Sequence, residues 1–117
     1  MLINQYVGDD TLIVEPVGRL TAETTASFTE AIGRRLDTGW DRLVVDLESV
    51  NYLDSAGLGA LVHAFTSARR RGARMVLVHV NGKNKELLVI TKLVTVFDVY
   101  ETIVEAERSF PRTAAAS

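Results

Sequence analysis

The chain has 117 residues, 47% of them hydrophobic and 24% charged, with a formal net charge of −2 and no cysteine. That length suggests a single domain able to bury about two-thirds of the surface of its unfolded chain. The charge balance offers no basic field for nucleic acid or an anionic membrane, and without thiols there are no disulfides, thiolate metal sites or cysteine nucleophiles.

Leu2–Val7 and Thr11–Val17 are short apolar runs around Gly8-Asp9-Asp10, the pattern of a hairpin. Gly18 interrupts the chain, and a helix is expected from the Thr21–Thr24 region to about Asp37, with Phe28, Ala31, Ile32 and Leu36 on one face and Gly39 as its stop. Leu43-Val44-Val45-Asp46-Leu47 reads as a buried central strand. A loop from Glu48 to Asp54 leads to a second helix from Ser55 to near Gly72, with Leu58, Leu61, Val62, Phe65 and Ala68 inward. Arg69, Arg70 and Arg71 suit the negative end of that helix, and this simple reading outweighs a nucleic-acid contact.

Arg74–Val80 is a further strand and Asn81–Asn84 a polar break. A helix from Lys85 to about Thr91 is anchored by Leu87, Leu88 and Ile90. Val96–Tyr100 reads as a last strand, and Glu101–Ser109 as a helix with Ile103, Val104 and Ala106 inward. Alternating strands and helices imply an α/β domain with a mixed, mostly parallel sheet of four or five strands and about four helices. The domain is expected over 1–108, with 109–117 as a flexible tail. No run approaches 18 apolar residues and the start lacks a signal-peptide pattern, so a cytoplasmic chain with no membrane insertion is expected.

Tyr52-Leu53-Asp54-Ser55-Ala56-Gly57-Leu58-Gly59 is the most informative stretch. Ser55 is placed as the N-cap of the second helix, where unpaired N–H groups and the positive dipole end tolerate a phosphate. On its residues alone it reads first as a stabilising cap; the functional reading adds modification. The glycines beside it lack side chains and let another protein approach the backbone. Gly57-Leu58-Gly59 lacks the third glycine of a dinucleotide cradle. Ser55 has no histidine base in its local sequence and no nucleophile-elbow context. Neither His63 nor His79 has a second histidine at metal spacing, and lone histidines of this kind read as surface or core residues. Asp46, Glu48 and Asp54 read as solvated loop acids rather than a metal cluster. No catalytic residue, cofactor or metal is therefore expected.

Val44 to Leu61, with its Asp-Ser-x-Gly-Leu-Gly core, resembles the signature of the STAS domain, and more narrowly the bacterial anti-sigma factor antagonists. Gly18-Arg19-Leu20-Thr21-Ala22, Gly72–Val78 and Val96–Thr102 also fit, so the resemblance runs from about Leu12 to Ala106. It implies a STAS-type domain that is no enzyme. Such a domain binds an anti-sigma factor, often a serine protein kinase, and frees a sigma factor; phosphorylation at Ser55 switches it off and a serine phosphatase restores it. It also implies Thr21, Asp54, Ser55, Ala56, Gly57, Leu58 and Gly59 as the partner-binding residues. Thr21 stands where the family usually has aspartate, and Lys92 where it usually has glycine. The turn equally resembles that of the STAS subunit of a lipid-transport ABC system, and a stressosome-type scaffold is a third option.

Overall fold

The structure, a computed structural model, describes residues 1–111. The hairpin is present as β1 (Leu2–Gly8) antiparallel to β2 (Thr11–Leu20). The chain continues through α1 (Thr25–Asp37), β3 (Arg42–Asp46), β4 (Val50–Leu53), α2 (Ser55–Arg70), β5 (Arg74–Val78), α3 (Gly82–Ile90), a 3₁₀ turn at Leu93–Thr95, β6 (Val99–Tyr100) and α4 (Ile103–Ser109). The strands form one six-stranded sheet in the order β1-β2-β3-β5-β6, parallel from β2 onward, with β4 paired to β2 alone.

The central strands are apolar throughout because both faces of the sheet are covered. Side chains alternate across a strand. Leu12, Val14, Leu43, Val45, Met75 and Leu77 therefore face the large core under α1, α2 and α3. Ile13, Val44, Val76 and Val78 face Ala106 and Phe110 on the α4 side. In α1, Phe28, Ile32 and Leu36 recur every four residues and are buried, while Ala31 is only half-buried. Removing the fully enclosed Phe28 ring would cost about 3–5 kcal/mol.

Three local expectations need correction. The segment Glu48–Asp54 contains β4, so the sheet has one strand more than the upper expectation of five. β2 shifts register between Gly18 and Arg19, leaves β3, and pairs its last residues with β4. Ile90 and Val104, expected inward, are exposed; Leu88 and Ala106 carry the burial of their helices. Packing also continues past 108: Phe110 is buried, and Arg74 donates to the Ser109 carbonyl (2.7 Å) and lies over the Phe110 ring. The remainder of the expected tail, 112–117, lies outside the described residues.

Candidate functional site

The turn that carries Ser55 is built where β2 and β4 end side by side. Leu20 pairs with Leu53, and the Asp54 N–H points to the Leu20 carbonyl at 3.4 Å. Asp54 has extended backbone (ψ −174°), and its carboxylate accepts from the Gly57 N–H at 2.8 Å. Asp54, not Ser55, is therefore the N-cap of α2. Both residue types serve as caps, but only a residue still in extended conformation presents its side chain to the first free N–H groups. Ser55 is the first helical residue. It is exposed, and among the described residues its hydroxyl has no hydrogen-bond partner.

The two glycines differ. A Cβ on Gly57 would stand 2.0 Å from the Leu20 carbonyl oxygen, so this glycine lets α2 seat against the end of β2. Gly59 is exposed with open space around it, and it alone fits the expectation of an approachable backbone. Leu58 is buried with Gly57, and Ala56 is half-buried.

The opposite wall is the turn between β2 and α1. Thr21 is buried there: its N–H donates to the Thr24 hydroxyl (2.9 Å), which in turn donates to the Arg19 carbonyl (2.7 Å). The Thr21 hydroxyl donates to Glu23 at 2.8 Å, and this bond is the main reason the Glu23 carboxyl is held below its usual range; nearby Asp54 works the other way. Thr21 thus lies beneath the surface, and the exposed Glu23 is bonded to it. Arg19 lies over the Tyr52 ring at 4.5 Å from its centroid. Ser55 sits on a surface with one carboxylate immediately before it and a second across the turn.

Asp46 and Glu48 do not join Asp54. Asp46 is buried and meets His79 instead, Nδ1 to Oδ1 at 2.8 Å, and the Glu48 N–H donates to the same oxygen at 3.0 Å. His63 is exposed on α2, away from this group. The reading of Asp46 as a solvated loop acid missed the register: Asp46 pairs with Val78, which brings the next residue, His79, alongside it.

Comparison with known proteins adds the following. The STAS domain profile matches residues 3–106. A Thermotoga maritima protein named as an anti-sigma factor antagonist is 30% identical over 99 residues, covering 84% of this chain and 88% of its own. The anti-sigma-B factor antagonist of Listeria monocytogenes is 39% identical over 57 residues, about half of each chain. A crystal structure of the Thermotoga maritima protein superposes with a TM-score of 0.87 at 28% identity, covering 94% of this chain and 95% of that one.

Proposed function

The chain belongs to the STAS domain family, alongside the anti-sigma factor antagonists, and from that membership and the geometry at Ser55 we propose that it binds an anti-sigma factor of the serine-kinase type and so releases a sigma factor. Phosphorylation of Ser55 switches the complex off, and a serine phosphatase resets it. The names of the relatives favour this role over a transport subunit or a scaffold.

One observation carries the proposal: Ser55 is exposed at the start of α2 while Asp54 satisfies the cap. The hydroxyl is free for transfer. A phosphate brings about −1.5 to −2 charges at neutral pH. The helix N-terminus tolerates that charge, so the fold survives it. A partner seated against Glu23, Asp54, Ser55, Ala56 and Gly59 meets a concentrated negative patch and is repelled. Thr21, Gly57 and Leu58 shape this surface from beneath. The chain is the kinase's substrate and itself performs no chemistry.

The test is incubation with the cognate anti-sigma kinase and ATP, followed by mass mapping. Phosphate is expected on Ser55 alone and none on Ser55→Ala. Labelling elsewhere, or no labelling of a chain that binds the kinase, overturns the phosphoswitch.

A further inference from the structure

We propose that Asp46, Glu48 and His79 form a binding site for one divalent transition-metal ion of the zinc, cobalt or nickel type, at the rim where β3 and β5 end. The site is separate from Ser55 and does not depend on the proposed phosphoswitch.

The parallel register assembles it. Asp46 closes β3 opposite Val78, His79 follows β5 directly, and Glu48 lies two residues beyond Asp46. One donor atom from each residue falls within 4.8 Å of the others. His79 Nδ1 is 2.8 Å from Asp46 Oδ1 and 3.8 Å from Glu48 Oε2. Ligands about 2.0–2.2 Å from a zinc ion stand roughly 3–3.6 Å from one another, a span these two distances bracket. Glu48 is exposed and its rotamer is free to close the longer gap.

An independent observation points to a cation. Asp46 is 3% exposed, yet no lysine or arginine pairs with it among the described residues. Both of its hydrogen bonds fall on Oδ1, leaving Oδ2 without one. Buried charges are normally paired or bound to metal; among the described residues the one ionisable side chain bonded to Asp46 is the His79 imidazole, itself a metal ligand. One nitrogen and two carboxylate oxygens suit zinc, cobalt or nickel, whereas magnesium prefers oxygen alone. A cleft of about 520 Å³, bordered by Glu48, His79, Lys85, Leu88, Val99 and Glu101, opens beside the group and gives the remaining coordination positions access to water or an anionic ligand.

The test uses the untagged full chain, calorimetric titration with zinc chloride, and metal analysis after dialysis. One equivalent of zinc is expected, with magnesium chloride giving no heat at the same concentration. Glu48→Gln changes an exposed side chain and stays folded. His79→Asn keeps a residue type that tolerates the left-handed backbone found there (φ 57°). Each variant is expected to weaken zinc binding by about tenfold or more, a loss typical even of changes around a metal site, while His63→Ala binds as wild type. No saturable zinc uptake, uptake undiminished in Glu48→Gln, uptake lost in His63→Ala, or magnesium binding as tightly as zinc would each overturn the site. Circular dichroism checks the folding of each variant, and Glu48→Gln decides the matter if His79→Asn fails to fold.

Discussion

The Asp54 carboxylate caps the Gly57 N–H at 2.8 Å, two residues beyond the serine that lies between them. Stability and switching are thereby assigned to neighbouring side chains. Asp54→Ala should lower the free energy of unfolding by about 1 kcal/mol, whereas Ser55→Ala should leave it nearly unchanged, as for surface substitutions within about 0.5 kcal/mol. Urea denaturation of both variants checks this; a larger loss in Ser55→Ala than in Asp54→Ala would return the cap to Ser55.

Gly57→Ala forces a methyl group into the Leu20 carbonyl, a backbone atom that cannot swing aside. A loss of about 2 kcal/mol or more is expected, within the range for overpacking. Gly59→Ala meets open space in an exposed helical position and should stabilise by about 0.5–1 kcal/mol. Thermal melts of the pair give the comparison, and equal melting temperatures would contradict it.

Ser55→Asp should bind the anti-sigma partner at least about tenfold more weakly, an effect near 1.4 kcal/mol, while the melt stays close to wild type because a carboxylate suits a helix N-terminus. The deficit should shrink in high salt, since exposed charges are screened within about 8 Å at physiological ionic strength. Calorimetric titration at two salt concentrations measures both. Equal affinities in folded protein would leave Ser55 without a role at the interface.

Tyr6, an exposed residue, should ionise above the ordinary tyrosine value of 10.0, first because of the partial desolvation of its hydroxyl and then because Asp46, Glu15, Glu107 and Glu48 oppose a phenolate. A raised pKa means that the folded state holds the proton more tightly. This contribution to stability is complete below pH 10.0 and is lost as the pH rises through the folded value. Ultraviolet titration of wild type against Tyr6→Phe isolates the phenol; a midpoint at or below the ordinary value would contradict the partial desolvation and the acidic field.

Lys92 stands in the left-handed region, φ 63°, just after α3, with its N–H donating to the Val89 carbonyl. The family's usual glycine has no side-chain penalty in that conformation. Lys92→Gly should therefore raise stability by up to about 1 kcal/mol, the left-handed cost offset in part by glycine's greater freedom when unfolded. A denaturant midpoint that falls instead would show that the lysine side chain contributes more than its backbone costs.

The hairpin, the central strands and the four helices were legible because burial imposes a period of 2 or 3.6 on their apolar residues. β4 was not: only Val50 and Leu53 turn inward, and its partner is the bent end of β2. The cap was ambiguous because Asp54 and Ser55 are both capping types, and backbone conformation chooses between them. Nothing in Gly57-Leu58-Gly59 distinguishes a glycine pressed on a carbonyl from one facing open space; that depends on Leu20, 37 positions before Gly57. Asp46 and His79 are 33 residues apart and meet only through the register of two strands.

That register also sets a scale for recognition. β2, β3 and β5 are neighbouring parallel strands, and β2 outreaches the other two: Val14 pairs with Val45, while its end at Leu20 lies beside Leu53 of β4. Leu20 lies five residues past the level of Asp46, roughly 17 Å along the strand at about 3.3 Å per residue, and two strand spacings of about 4.8 Å lie across, so the Ser55 turn and the end of β5 that leads into His79 are separated by roughly 20 Å. A protein interface commonly covers about 800 Å² on each side, a patch roughly 30 Å wide. A partner of that size centred on Ser55 reaches about 15 Å in each direction, short of His79, so the cleft stays open while the Ser55 surface is covered.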